Sequence, residues 1–139
     1  MEQIVQQMIK WLQEKVNDAN AKGLLVGLSG GLDSAVVAHL IKRAFPDHSL
    51  AVIMPIQSNP VDLTHAKEVA KSCNIQVQTV DLTETHSQMM QVIKTTTKAG
   101  EWNEAKEQIA DANLRARLRM STLYTIATNY NYLVTGTDN

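Results

Sequence analysis

Leu24-Leu25-Val26-Gly27-Leu28-Ser29-Gly30-Gly31-Leu32-Asp33-Ser34-Ala35 is the stretch from which the fold can be read. Its first five residues are apolar with no polar alternation, the pattern of a strand buried on both faces, as in a parallel sheet. Ser29 to Ser34 break that run, and a helix is predicted from Ala35 to about Ala44, ahead of Pro46. Helix amino termini expose unpaired N–H groups and a partial positive charge. Gly30 and Gly31 let the backbone take positive φ and approach a ligand closely, and Ser29 and Ser34 add hydroxyl donors. The segment therefore reads as an anion cradle at the carboxyl end of a strand, where open α/β sheets bind ligands. Asp33 is out of place beside phosphates unless a cation lies between them, and Mg²⁺ bridging Asp33 and phosphate oxygens is the economical solution. No Lys-Ser/Thr pair follows the glycines, so the loop is not a Walker A, and it lacks the third glycine of the dinucleotide fingerprint. The plain alternative is a glycine turn with Asp33 as a first-turn helix carboxylate.

The pattern repeats outward from this loop. Upstream, Ile4, Val5, Met8, Ile9, Leu12 and Val16 recur at three- and four-residue steps, which predicts an amphipathic helix over 2–21 that Gly23 ends and turns. Downstream, Leu50–Met54 is a second buried strand stopped by Pro55, and 61–73 is a helix containing Cys73 as a small apolar residue. Ile75–Leu82 is a third strand and 83–98 a weaker helix, because Thr95-Thr96-Thr97 is β-branched. Gly100 breaks that helix, and Tyr132–Gly136 is a fourth strand. Strands alternating with helices predict right-handed crossovers and a three-layer α/β/α sandwich with a parallel sheet.

Asn113-Leu114-Arg115-Ala116-Arg117-Leu118-Arg119-Met120 alternates like a strand, yet its residues are good helix formers. At helical period Ala105, Ile109, Ala112, Ala116, Met120, Leu123, Ala127 and Tyr130 form one apolar stripe, so a single helix from about 104 to 130 is predicted. Arg115 and Arg119 lie together on one edge of that stripe, and Arg117 lies on the other, beside Asn113 and Tyr124. Arg115 and Arg119 are expected to make salt bridges or face solvent.

The composition narrows the function class. With 139 residues one domain, 1–139, is expected, long enough to bury a core. Thirteen Lys and Arg against 14 Asp and Glu give a net charge of −1, without the basic excess of a general nucleic-acid binder. The single cysteine cannot form an internal disulfide, which fits a reducing, cytoplasmic setting. The polar amino-terminal segment is no signal peptide, and no apolar run approaches the ~18 residues of a membrane span. His39, His48, His65 and His86 show no ligand spacing and receive no role.

Ser29–Ser34 resembles the SGGxDS pyrophosphatase loop of the ATP-pyrophosphatases, enzymes that cleave ATP between its α- and β-phosphates and adenylate a substrate. Within that group, Asn113–Met120 is similar to the N-x-[KR]-A-R-x-R-M segment of NAD synthetases, and Gly136-Thr137-Asp138-Asn139 to their G-T-[DGS]-[NH]. Met54-Pro55, followed by Asp62 and Ala66, also resembles that family, so the likeness runs from about residue 4 to 139. It implies the adenine nucleotide alpha hydrolase-like fold and the amidation of deamido-NAD to NAD with ATP and ammonia. Residue by residue, it implies that Gly27, Leu28, Ser29, Gly30, Gly31, Leu32, Asp33, Ser34 and Thr137 bind ATP, that Asp33 also ligates Mg²⁺, and that Arg117 contacts deamido-NAD. A solvated helix arginine is the plain alternative for Arg117.

The same resemblance implies a homodimer with deamido-NAD near the subunit interface, and no protein nucleophile. No amidotransferase domain precedes the loop, so the likeness is to the ammonia-using form. Family members are longer, and their Gly-Thr-x-Asn/His is followed three residues on by a Glu that ligates Mg²⁺. As an amino-terminal part, truncated at the carboxyl end at Asn139, the chain is expected to have little or no synthetase activity alone. Two other readings remain open here: an adenine-nucleotide-binding module without catalysis, and another ATP-pyrophosphatase such as a tRNA thiolase. The Ser29–Ser34 loop argues against the first; the charge and the single cysteine argue against the second.

Overall fold

The computed structural model describes residues 1–136. In chain order the elements are α1 (Glu2–Asp18), β1 (Gly23–Gly27), α2 (Leu32–Ala44), β2 (Ser49–Ile53), α3 (Pro60–Cys73), β3 (Gln76–Thr79), α4 (Thr83–Thr96), a 3₁₀ turn (Glu104–Lys106), α5 (Glu107–Tyr130) and β4 (Tyr132–Val134). The strands form one sheet in the order β3-β2-β1-β4, with every pairing parallel. Successive side chains of a strand point to opposite faces, so β1 serves two cores. Leu24, Val26 and Leu28 pack with Ile9, Leu12 and Val16 of α1, Ala38 and Ile41 of α2, and Ala66 and Ala70 of α3. Leu25, with Leu50 and Val52 of β2, packs on Ile126 and Ala127 of α5. This is the three-layer α/β/α sandwich that the strand–helix alternation predicts.

The boundaries differ from the sequence expectations for local reasons. The first helix ends at Asp18, and the turning residue is Asn20, at φ 55, rather than Gly23. Gly23 is instead the first residue of β1, where a Cβ would lie 1.9 Å from the His48 carbonyl oxygen. The glycine there allows close strand approach, not a turn. Asn74 and Asn131 adopt the same left-handed conformation after α3 and α5, as short polar side chains tolerate. Two of these turns are tied together: Lys22 N donates to Asn131 O at 2.7 Å, and Asn131 Nδ2 donates to Asn20 O at 3.2 Å. At the weak end of α4, which stops at Thr96 and not at 98, the hydroxyls of Thr95 and Thr96 donate back to Val92 O, and that of Thr97 to Ile93 O.

Helix α5 is long, as expected, but of its apolar stripe only Leu123 and Ala127 pack into the second core, and the rest faces outward. Ile109 is 61% exposed, Met120 51%, and Tyr124 beside them 58%. The side turned inward carries Leu114, Arg115, Leu118, Arg119, Thr122 and Ile126, a row that hydrophobic periodicity passes over because arginines interrupt it. Among the described residues no helix is long and apolar enough to cross a membrane.

Candidate functional site

The sheet order creates the site. The chain runs from β1 outward through β2 to β3, then returns past β1 to β4. The switch point therefore lies between β1 and β4, and a crevice is expected outside their carboxyl ends. A cleft of about 630 Å³ opens there, within the usual range for small-molecule sites. Its floor is Gly27 at the end of β1 and Leu28 and Ser29 just after it, with Val134, Thr135 and Gly136 at the end of β4. One wall is Met54, Pro55 and Ser58 of the β2–α3 loop with Asp62 of α3, and the other is Arg119, Met120, Leu123 and Tyr124 of α5.

The Ser29–Ser34 loop is closed by its own serines. Ser34, 3% exposed, donates its hydroxyl to Gly31 O at 3.2 Å and accepts from Ser29 N at 3.2 Å. The Ser29 hydroxyl stands 3.1 Å from that of Ser34 and accepts from Gly31 N at 3.3 Å. The serine hydroxyls thus shape the loop, where the sequence suggested donors to a ligand. Gly31 stands just ahead of α2 and gives it no side-chain cap, and the helix's first hydrogen bond is from Ala35 N to Gly31 O. The amides of Leu32, Asp33 and Ser34 precede that bond, so the helix presents the open amino terminus an anion requires. Gly30 sits at φ +89, and a Cβ on it would lie 2.6 Å from Asp62 O, so the loop is pressed against α3.

Asp33 is exposed in the first turn of α2, which begins at Leu32 and not at Ala35. The helix dipole favours a carboxylate there. Among the described residues no cation pairs with it, and no group of three or more His, Cys, Asp or Glu could hold a metal. Asp33 alone could offer one oxygen ligand, with phosphate oxygens and water completing the shell. That donor set suits Mg²⁺, which keeps several waters and binds few carboxylates.

Of the arginines, Arg117 is exposed and does not line the cleft. Arg115 makes the salt bridge expected of it, Nε to Asp111 Oδ2 at 2.7 Å, and also donates from Nη1 to Ile56 O at 2.5 Å. Arg119 departs from the expectation of a salt bridge or solvent. It lines the cleft and donates from Nε to Met54 O at 3.0 Å. Partial burial, and then the Arg115 charge, weigh against its protonated form. Sequence reasoning also gave no role to His86, which lies buried with Nε2 2.8 Å from Asp111 Oδ1. Twenty-five residues on two helices separate that pair, so no local spacing signals it. The Arg115 hydrogen bond first, and the charges of Arg115 and His86 after it, hold the Asp111 carboxyl below its ordinary range. Thr137, Asp138 and Asn139 lie outside the described residues.

A family model described as NAD synthase matches residues 4–139. The chain belongs to the NAD synthase family. The match sets aside the tRNA thiolase alternative. The chain is 51% identical to the NH(3)-dependent NAD(+) synthetase of Alkaliphilus oremlandii over 97% of its own length and 54% of that protein's. With the NH(3)-dependent NAD(+) synthetase of Carboxydothermus hydrogenoformans it shares 48% identity over 99% of this chain and 55% of the other. Among solved structures, the NH3-dependent NAD synthetase of Campylobacter jejuni superposes with a TM-score of 0.83 at 33% identity, covering 99% of this chain and 56% of that one. The chain thus spans about half the length of the curated NAD synthases it matches.

Proposed function

We propose that this chain is the ATP-holding portion of an ammonia-dependent NAD synthetase, a cytoplasmic ligase. The observation that carries this is a glycine loop at the switch point of a parallel sheet, whose Gly27, Leu28 and Ser29 line a nucleotide-sized cleft and whose far end is the uncapped amino terminus of α2. In the reaction, the nicotinate carboxylate of deamido-NAD attacks the α-phosphate of ATP and pyrophosphate leaves. Ammonia then displaces AMP from the adenylate and yields the amide. Gly27–Ser34, with Thr137, hold ATP, and Arg117 meets deamido-NAD from the exposed side of α5. When bound at Asp33, Mg²⁺ offsets phosphate charge. The protein's own contribution is placement and fixed dipoles, with no covalent step on a side chain.

The experiment is a calorimetric titration of ATP, with and without Mg²⁺, on the chain and on Asp33→Ala. Wild type is expected to bind more tightly with Mg²⁺, and the variant to lose that gain, about ten- to a hundredfold for one charge-assisted contact. No ATP binding at millimolar concentration, or undiminished Mg²⁺ dependence in the variant, refutes the reading.

We also propose that the protein is a homodimer through α4 and α5. Met89 and Val92 on α4 and Ile109 on α5 are large apolar side chains left exposed, as on surfaces that pair with a second copy. Sedimentation should give two copies per particle for wild type and one for Ile109→Lys with Val92→Glu. A wild-type monomer at tens of micromolar would contradict this.

A further inference from the structure

The β2–α3 loop forms one wall of the cleft through Met54, Pro55 and Ser58, and it is held in an unusual way. Gln57 stands at φ 47, a left-handed conformation uncommon for a residue of its kind, which persists only where the surroundings over-determine it. Those surroundings are visible. Gln57 N donates to Thr83 Oγ1 at 2.9 Å, and Leu82 N donates to Pro55 O at 2.8 Å, both from the start of α4. From α5, one turn apart, Arg119 grips Met54 O and Arg115 grips Ile56 O.

Arg115 can reach Ile56 O only if its guanidinium is aimed, and the aim is set from behind. Its Nε donates to Asp111 Oδ2, and the other oxygen of Asp111 faces His86 Nε2 at 2.8 Å. Among the described residues that nitrogen makes no aligned hydrogen bond, so its hold on Asp111 is the close approach itself, and His86 is 7% exposed.

We propose that His86 and Asp111 are positioning residues for the cleft: they orient Arg115 against the Ile56 carbonyl and so fix the Met54–Ser58 wall that a nucleotide meets. Neither touches the cleft, and both act through Arg115. The effect on the wall stands on geometry alone, while its consequence for ATP rests on the reading above. His86→Gln keeps an amide donor near the Nε2 position, whereas His86→Leu fills the space without one.

The experiment is residue-resolved amide hydrogen exchange on the full chain, with ATP titrations of the same proteins. In His86→Leu the Ile56 and Gln57 amides are expected to exchange about tenfold faster, with Val52 in β2 unchanged. His86→Gln should restore most of that protection. Should His86→Leu fail to fold, Arg115→Met at its half-buried helix position breaks the same link and should give the same signature. ATP affinity should fall about tenfold in parallel with the faster exchange. Unchanged loop exchange in either of these unlinked variants, uniform acceleration throughout the chain, or no rescue by Gln overturns the proposal. Faster exchange with unaltered ATP affinity overturns its nucleotide half. Failure of wild type to bind ATP counts against the proposed function, and the exchange result still decides for or against the role of His86.

Discussion

Gly30→Ala is expected to weaken ATP binding by about a hundredfold. Two costs combine. The residue sits at φ +89, where a side chain costs roughly 1–2 kcal/mol. Its new Cβ would also lie 2.6 Å from the backbone oxygen of Asp62, which cannot swing aside as a side chain can. The loop must lift from α3, carrying the Ser29 and Gly31 amides away from the serine hydroxyls that position them. A loss of about 2–3 kcal/mol corresponds to roughly thirty- to a hundred-and-fiftyfold in affinity. Gly31→Ala is the control: its φ is −84 and its Cβ would meet only Ser29 Oγ at 3.5 Å, an ordinary contact. Titration calorimetry on both variants reads the contrast, and equal affinities would show that the loop does not hold the nucleotide.

Gly23→Ala is expected to be strongly destabilising, at about 3 kcal/mol or more. The added Cβ would fall 1.9 Å from His48 O and 2.7 Å from His48 Cβ. That carbonyl accepts from Leu24 N at 3.1 Å, the first rung joining β1 to β2. The strands would have to part at the centre of the sheet, where Leu25 and Leu50 are fully buried. Domains have only ~5–15 kcal/mol in reserve, so the loss is a large share. Urea unfolding should show a sharply lowered midpoint with an unchanged slope. A midpoint within error of wild type would mean that the sheet can open there at little cost.

Legibility in the sequence followed burial. β1 and β2 are apolar on both sides because both faces are covered, and that forced pattern located the parallel sheet and the loop that follows it. The edge strands carry less pressure, and β3 is only Gln76–Thr79 where the pattern suggested Ile75–Leu82. In α5 most of the apolar row points outward, while the inward row uses Arg115 and Arg119 to bind backbone carbonyls. Periodicity measures hydrophobicity and has no way to see a guanidinium meeting a distant carbonyl. Asp62, Ser58 and Thr135 reach the cleft through crossover geometry, which links residues far apart in the chain. The family likeness named the loop; it did not reveal how Ser34 turns inward to brace it.

The left-handed asparagines, Asn20, Asn74 and Asn131, all sit where helices hand over to strands, while Gly30 and Gln57 occupy the opposite rim, where strands hand over to helices. The two rims therefore tolerate change independently. An engineer seeking a hardier variant can relieve Asn20 and Asn74 with glycine, sparing Asn131 whose side chain ties two turns together, or graft a label or affinity tag beside them, and leave the business end of the molecule as it was.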